Sequence, residues 1–415
     1  MSKDVMGVQE VSPGYEFVAG NPTVPVGYKQ TEVGVIPEDW EIFPFGEHFS
    51  IYAGGDAPKH SLSSTQSDRH PYPVFANAIQ GKGLYGFTAE TRSKPDSVTV
   101  TARGYLGHAE YRSEPFFPIV RLLVLEPKGT LDSKYTSYAI NDRVQFSIES
   151  TGVPQLTAPQ VARYAVAAPP DVKEQKTIAT ALSDVDALLE ELDRLIAKKR
   201  DIKQAAMQQL LTGETRLPGF EGEWEVKTLR EIARIQRGAS PRPIDSPIWF
   251  DDNSLIGWVR ISDVTNSGMF LEKTSQKLSN LGVQHSRPVP AGSLIMSICA
   301  TVGRPIVTKV DVCIHDGFVV FDSLDANQLF VFYFLKWIEP KWSQHGQTGS
   351  QMNLNTGLIN GTEIKLPPMD EQRAIAECLF DMDTEIQALE QRRSKTAELK
   401  QGMMQELLTG RTRLV

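Results

Sequence analysis

The chain has 415 residues, of which 40% are apolar and 23% charged, and its formal net charge is −8 at pH 7. This is the composition of a globular protein with room for two to four domains, and three widely spaced cysteines, Cys299, Cys313 and Cys378, indicate neither a disulfide framework nor a zinc site. Because the most apolar run, Leu329 to Leu335, is too short to cross a bilayer and no apolar signal stretch opens the sequence, we expect a cytoplasmic protein without a membrane partner.

The negative charge is unevenly distributed along the chain. Residues 28–168 contain 13 basic and 15 acidic side chains, and residues 218–366 contain 14 and 15, so both stretches are almost neutral. Contact with nucleic acid depends on Lys and Arg at phosphates, and a nearly neutral domain can still carry a basic face. The overall charge therefore does not exclude DNA as a partner.

The first part of the chain reads as a tail followed by a domain. Residues 1–27 contain several Pro and Gly without a hydrophobic period, which predicts a loose tail. Residues 28–168 mix short strand-like runs, such as Phe117 to Leu125, with Gly-rich turns, such as residues 104–107. Residues 218–366 have the same character. We therefore expect two compact α+β domains.

Residues 169–217, between these domains, predict one long helix. The Pro-Pro pair at 169–170 can precede a helix but cannot lie inside one, and Gly213 supplies the C-terminal stop. Apolar residues recur at alternating spacings of four and three, which is typical of a coiled-coil seam. The seam residues of this segment are Ile178, Leu182, Val185, Leu189, Leu192 and Ile196. A helix of about 40 residues would be about 60 Å long.

The same helical segment returns at residues 367–415, after the second domain. Glu-Gln-Lys-Thr-Ile-Ala at 174–179 is matched by Glu-Gln-Arg-Ala-Ile-Ala at 371–376, and the alignment continues without a gap to Leu217 and Leu414. Nearly half of the 44 aligned positions are identical. The second seam consists of Ile375, Leu379, Met382, Ile386 and Leu389. Since one such helix cannot bury its seam alone, we expect the two to pack on each other.

Motifs for catalysis are absent from the sequence. Gln80-Gly81-Lys82 lacks the other residues of a phosphate-binding loop, the seven His residues are scattered without an HExxH pair, and no Asn-Pro-Pro-aromatic tetrapeptide of an amino-methyltransferase occurs. We therefore predict no catalytic residue, cofactor or metal in this chain. Two alternatives stay open: an enzyme with unrecognised motifs, and a structural coiled-coil scaffold with two protein-binding heads.

Taken together, the duplicated motifs resemble the specificity subunit of type I restriction-modification enzymes. The resemblance is carried by the Pro-Pro-x(2–3)-Glu-Gln-x-x-Ile-Ala entries at Pro169 and Pro367 and by the Leu-Leu-Thr-Gly exits at 210–213 and 407–410. The domain starts Pro-Glu-Asp-Trp, ending at Trp40, and Phe-Glu-Gly-Glu-Trp, ending at Trp224, add to it. It covers residues 28–415 with both halves in register.

This resemblance implies two target-recognition domains, residues 28–168 and 218–366, each reading one half of a split site in double-stranded DNA. The two helical spacers would form an antiparallel coiled coil within a pseudo-twofold repeat and fix the gap between the half-sites. The chain itself would be non-catalytic. Two modification subunits would bring S-adenosylmethionine and methylate adenine, and restriction subunits using ATP and Mg would join them. Outward helix faces near the Glu-Gln entries would dock the modification subunits.

Candidate DNA contacts are polar side chains in turn-rich stretches, because Arg and Lys suit guanine and Asn suits adenine. In the first domain these loop candidates are Lys59, Arg69, Asn77, Lys82, Arg103 and Arg112. In the second domain Arg230, Arg234 and Arg237 have the spacing of a basic helix face suited to phosphates, and Arg242, Arg260 and Ser262 follow in a turn-rich stretch. A solvated charged face explains the same spacing. Three tyrosines, Tyr85, Tyr105 and Tyr111, fit the core as well as a base-facing position.

Overall fold

The structure, a computed structural model, describes residues 24–147, 154–342 and 354–414. They form two compact units, one made of the described residues of 1–190 and 394–415, the other of those of 191–393. Each unit combines one globular domain with parts of both long helices. Most of the expected tail, residues 1–23, lies outside the described residues.

The first unit is built on small antiparallel sheets. Its strands are Tyr28–Thr31 (β1), Gly34–Pro37 (β2), Glu41–Pro44 (β3), Phe49–Ala53 (β4), Tyr72–Phe75 (β5), Leu84–Thr88 (β6), Ser97–Val100 (β7), Ala109–Arg112 (β8), Phe117–Pro118 (β9), Leu123–Pro127 (β10) and Ala165–Ala168 (β11). Its short helices are Phe45–His48 (α1), Ser133–Arg143 (α2) and Ala158–Val161 (α3). The main sheet has the order β4-β10-β7-β8, and a second sheet has the order β6-β5-β9, in which β5 and β9 are parallel.

The second unit has the same mixture of elements. After the long helix Val172–Thr212 (α4), its strands are Glu225–Thr228 (β12), Arg234–Arg237 (β13), Gly257–Val259 (β14), Phe270–Leu271 (β15), Gln276–Lys277 (β16), Arg287–Val289 (β17), Leu294–Ser297 (β18), Pro305–Thr308 (β19), Val312–Ile314 (β20), Phe318–Asp322 (β21) and Glu363–Leu366 (β22). Its helices are Leu229–Ile232 (α5), Ile261–Thr265 (α6), Asn280–Gln284 (α7), Gln328–Trp342 (α8), Thr356–Asn360 (α9) and Met369–Leu407 (α10). Two sheets, β13-β21-β18-β19-β15 and β16-β14-β20-β17, make its centre.

In each domain a strand near the start pairs with the last strand. Strand β3 pairs with β11, and β12 pairs with β22, both antiparallel. Because β11 and β22 end at the two Pro-Pro pairs, this pairing brings the start of each domain beside the helix that leaves it. Trp40 and Trp224, which end the two domain-start motifs in the sequence, thus belong to a common frame that encloses two different interiors.

The two long helices run antiparallel within each unit. In the second unit Asp193 pairs with Arg393 at 3.0 Å and Lys199 with Glu385 at 2.7 Å, so residue numbers fall on α10 as they rise on α4. In the first unit Asp186 pairs with Lys400 at 2.7 Å and Glu174 with Arg413 at 2.6 Å, so residue numbers again fall on one segment as they rise on the other. The exposed ion pairs among these contribute little free energy, so they report orientation while seam burial supplies most of the stability. The helices span 41 and 39 residues, as the repeat predicted.

Burial follows the seam pattern. Of the eleven seam residues that the sequence identified, seven are buried and four are half-buried: Ile178, Leu182, Leu192, Ile196, Ile375, Leu379 and Ile386 are buried, and Val185, Leu189, Met382 and Leu389 are half-buried. Ile178 and Leu182 belong to the core of the first domain as well as to the helix pair. Gly213 and Gly410, with φ of 75° and 69°, take the left-handed conformation that ends each helix.

Candidate nucleic-acid interface

The Gln residue of each Glu-Gln entry ties a domain to its long helix. Gln175 Nε2 donates to the Pro169 carbonyl at 2.8 Å, and its Oε1 accepts from the Asp132 N–H at 2.7 Å, just before α2. Gln372 makes the equivalent bonds to Pro367 and to the Asn327 N–H, both at 2.8 Å, just before α8. Each Gln is therefore a fixed joint between the start of one long helix and the start of a domain helix.

The Glu residue of each entry forms a clasp with the end of the other long helix. Glu174, 4% exposed, accepts from Arg413 at 2.6 and 2.7 Å. Glu371, 0% exposed, accepts two bonds from Arg216, the Nε bond at 2.9 Å. Buried carboxylates are tolerated only when paired, so each Arg is essential to its partner. The Glu and Gln side chains thus face inward, whereas neighbours such as Lys176 are exposed.

Two first-domain candidates are structural. Arg112 was expected on a loop but lies on β8, is 6% exposed, and stacks 3.6 Å from the centre of the Phe75 ring. Its guanidinium donates to Thr99 Oγ1 at 3.0 Å and to the Lys82 carbonyl at 2.7 Å, and burial lowers its pKa to about 10. Asn77 uses both ends of its amide within the domain. We therefore remove both residues from the DNA-contact set.

The Asn77 amide joins the loop that follows β5 to the loop at residues 101–107, and we call this pair of loops the tip. Its Nδ2 donates to the Arg103 carbonyl at 2.5 Å and its Oδ1 accepts from the Ala102 N–H at 2.6 Å. Tyr105 is 71% exposed on this tip, and Tyr85, on β6, is 58% exposed. The sequence left the position of the tyrosines open, and the structure puts these two at the surface, with Tyr105 two residues from the exposed Arg103.

The remaining first-domain candidates are dispersed. Lys82 lies in the loop that follows β5, but its ammonium group pairs with Glu190 of α4 at 2.6 Å, which raises the pKa of the lysine. Lys59 and Arg69 are exposed on the segment between β4 and β5. Tyr111 is half-buried, and its hydroxyl donates to Asp96. The tip is thus the first-domain surface that best suits the predicted DNA contact.

The predicted basic helix of the second domain is wrong. Helix α5 covers only Leu229–Ile232, and Arg234 and Arg237 lie on β13, where residues three apart point to opposite faces. The helical spacing of these arginines does not decide their conformation, because β13 pairs with β21, with Ile235 opposite Phe321 and Gln236 opposite Val320. Arg234 pairs with Asp322 at the start of β13, while Arg230 is exposed on α5 at the same end.

At the other end of β13 the structure collects polar groups around Asp316. Ser240 Oγ donates to Asp316 Oδ1 at 2.6 Å, Arg242 lies 3.3 Å from Oδ2, and Arg237 Nε donates to the Asp316 carbonyl at 2.6 Å. Arg287 Nε donates to the Arg237 carbonyl at 2.5 Å. The bond from Ser240 lowers the pKa of Asp316. We call these five residues the Asp316 cluster, and it carries more positive than negative charge.

Arg260 and His315 lie beside this cluster. Strands β14 and β20 are parallel neighbours, with Val259 opposite Ile314, so the residues that follow them are adjacent. Arg260 Nε donates to Gln276 Oε1 at 2.6 Å. His315 Nδ1 accepts from the Gly317 N–H at 2.9 Å, and burial lowers the pKa of the imidazole. Ser262 is exposed on α6, two residues after Arg260.

Sequence reasoning missed Arg287 and Asp316. Neither belongs to a motif, and both reach the cluster only through sheet pairing. Strand β17 pairs with β20 so that Arg287 stands opposite Ile314, just before Asp316 in the chain. A non-local pairing of this kind leaves no local signal in one sequence.

Signs of other chemistry are few in the described ranges. Across residues 24–147, 154–342 and 354–414, no group of three or more His, Cys, Asp or Glu is placed to hold a metal ion. Among the helices described, none is long and apolar enough to cross a membrane. Burial raises the pKa of the Cys299 thiol and raises that of Cys313 to about 11, opposite to what a nucleophilic thiolate needs.

Comparison with known proteins defines the class. The family described as the type I restriction modification DNA specificity domain matches residues 37–199 and 221–400, one match for each half of the repeat. The chain therefore belongs to the type I restriction-modification specificity-subunit family. Members of this family are non-catalytic components of the restriction-modification complex. The resemblance inferred from the duplicated motifs is confirmed.

Individual relatives support the same assignment over nearly the whole chain. The chain is 23% identical to the type I restriction enzyme MjaVIII specificity subunit of Methanocaldococcus jannaschii, over 91% of this chain and 94% of that protein. It is also 23% identical to the putative MjaX specificity subunit of the same organism, over 93% and 97%. The crystal structure of an S subunit from M. genitalium superimposes with a TM-score of 0.63 at 15% identity, covering 89% and 96%. The predicted fold, two α+β domains with a coiled coil, is confirmed.

Proposed function

We propose that this chain reads a split DNA sequence, with residues 28–168 recognising one half and residues 218–366 the other. The observation that carries the proposal is the common frame with different interiors. Both domains are attached to the helix pair by the same Gln joint, and the same Glu-Arg clasp connects the two long helices in each unit, while the surfaces that the domains present differ. Constant attachment with variable surfaces suits a protein whose geometry is fixed and whose specificity varies.

Each domain offers a different kind of DNA contact. The first presents Arg103 and Tyr105 on the tip and the exposed Tyr85 on β6, which suits phosphate contact together with apolar contact to a thymine methyl or a base step. The second presents the Asp316 cluster with Arg260, where arginines already oriented by hydrogen bonds suit a guanine edge. Pre-orientation matters because less side-chain entropy is lost when DNA binds.

The chemistry is assigned to partner subunits. Two modification subunits would bind S-adenosylmethionine and methylate adenine, and restriction subunits using ATP and Mg would join them. We place their docking on the exposed faces of the two helices near the entries, represented by Lys176 and Arg373, since the Glu and Gln side chains are used inside the chain. Attaching two weak readers to one frame also raises the overall affinity.

DNA binding by the assembled methyltransferase complex tests this proposal. We expect one sequence selected from a random duplex library to bind far more tightly than a scrambled one, and Arg242→Ala to weaken that binding about tenfold or more. Lys273→Ala is the matched control, since it removes an exposed basic side chain of the same domain, between β15 and β16, that is not a DNA-contact candidate, and it should leave binding unchanged. Equal binding of selected and scrambled DNA would instead support the scaffold alternative and refute the proposal.

A further inference from the structure

A pair of equivalent side-chain triads connects each domain to both long helices. In the first unit Tyr138 of α2 donates to Asp186 Oδ2 of α4 at 2.7 Å, and Lys400 of α10 lies 2.7 Å from Asp186 Oδ1. One carboxylate thus holds a phenol from the domain and an ammonium from the opposite helix. Three separate helices meet at that single group.

The second unit repeats the arrangement with the helices exchanged. Tyr333 of α8 donates to Asp383 Oδ2 of α10 at 2.8 Å, and Lys203 of α4 pairs with Asp383 Oδ1. Each Lys ammonium also faces the ring of its triad tyrosine, at 5.4 Å in the first unit and 5.7 Å in the second. The Tyr–Asp, Lys–Asp and Lys–Tyr contacts therefore occur in both units in the same arrangement.

The tyrosines come from the variable interiors of the two domains, yet they stand at the same place in their helices. Tyr138 follows the residue that precedes α2, Asp132, by six positions, and Tyr333 follows Asn327, which precedes α8, by the same six. Those two residues are the ones held by the Gln joints. A Gln joint at the start of the domain helix and a triad along it fix that helix at two points.

A domain helix held at two points has a fixed angle to the helix pair, whereas a helix held at one point can rotate about it. The Gln joint alone would allow α2 or α8 to pivot about its N-terminus. A hydrogen bond about one and a half turns later, to a carboxylate that is also paired across the helix pair, removes that freedom. The carboxylates are one-third exposed, 34% for Asp186 and 33% for Asp383, so the Lys–Asp ion pairs add little to overall stability.

We infer that Tyr138, Asp186 and Lys400, with their equivalents Tyr333, Asp383 and Lys203, are positioning residues. They fix the orientation of each reading domain on the helix pair. They thereby determine how strongly the complex discriminates against a wrong gap between the half-sites. The inference rests on the proposed split-site function. Burial and the neighbouring Asp raise the pKa of both tyrosines, so each phenol keeps the proton that it donates.

Methylation of a gap library by the assembled methyltransferase complex tests the inference. The substrates carry both cognate half-sites with the native gap and with gaps one and two base pairs shorter or longer. For the double variant Tyr138→Phe with Tyr333→Phe, we expect unchanged half-sites but about tenfold weaker discrimination against the wrong gaps, the size expected for a hydrogen bond to a charged group.

Tyr135→Phe is the matched control. Tyr135 also lies on α2 and is fully buried, but its hydroxyl donates to the Ala167 carbonyl at 2.9 Å, inside its own domain. This variant should lower stability and leave the gap profile unchanged. A wild-type gap profile in the double variant, or an equal change in the control, overturns the positioning role while split-site reading stands. A wild-type complex without any gap preference overturns both proposals.

Discussion

Arg112 and Arg242 illustrate how one residue type takes opposite roles within this chain. Arg112 is buried against Phe75, with a carbonyl and a hydroxyl to accept its bonds, whereas the side chain of Arg242 is 71% exposed. Desolvation of a guanidinium is costly, so a buried one is retained only where it holds structure together. Burial thus separates structural arginines from those available to a ligand.

Replacing Arg112 should therefore destabilise the first domain without a direct effect on DNA contacts. Arg112→Met leaves Thr99 and the Lys82 carbonyl without their donor, and we expect a loss of about 2 kcal/mol in the free energy of unfolding. Urea denaturation of the full-length chain measures this loss. Arg69→Met, at an exposed position, should stay within about 0.5 kcal/mol of wild type. Equal stability of the two variants would show that the buried contacts of Arg112 do not contribute.

His315 should make the second domain less stable as the pH falls. Its pKa lies below the ordinary value of 6.5 because burial disfavours the charged ring, despite the nearby Asp316. The unfolded state therefore takes up a proton first as the pH falls, so this contribution to stability is complete above 6.5 and declines below it. His315→Asn keeps an acceptor for the Gly317 N–H without titrating between about pH 5.5 and 7.5. Melting temperatures across that range should fall more for wild type than for this variant, and parallel curves would contradict the assignment.

At the scale of elements, the two long helices were predictable and the domain interiors were not. The helices repeat in sequence and carry a periodic seam, so local patterning specified them. Arg234 and Arg237 fit a helical spacing equally well, but a β-ladder with β21 decided their conformation. Such pairing joins residues about 85 positions apart and is invisible to local periodicity.

The candidate site divides in the same way. Arg103, Arg237, Arg242 and Arg260 were identified because their residue types suit DNA. Arg287 and Asp316 were not, since only the sheet brings them together. Tyr105 is exposed on the loop that Asn77 contacts, and no spacing rule in the sequence reveals that contact.

The helix seam gives a direct test at this scale. Leu182 and Leu379 are both fully buried, so Leu182→Asp or Leu379→Asp places a charge where no partner exists. We expect such a chain to be insoluble or to fail in assembling with the modification subunits. Leu195→Asp is the matched control, because Leu195 lies on α4 but is 39% exposed. Recovery of normal complex from the Leu182 or Leu379 variants by gel filtration would refute the seam.

The whole molecule joins two proposed reading domains to one constant frame. The joints, clasps and triads recur in both units, whereas the reading surfaces share no residue pattern. We therefore expect the recurring joints, clasps and triads to determine the geometry, and the differing domain surfaces to determine the specificity. Exchange of one domain should therefore leave assembly intact, since the residues that attach it belong largely to the constant helices.

Methylome sequencing of cells that carry this chain with its modification subunits tests the central claim most directly. We predict a single methylated motif with two specified halves separated by a gap of fixed length and unspecified bases. Replacing residues 218–366 with the corresponding domain of another specificity subunit should change one half and leave the other half and the gap as they were. A contiguous motif, or a change in both halves after the exchange, would contradict it.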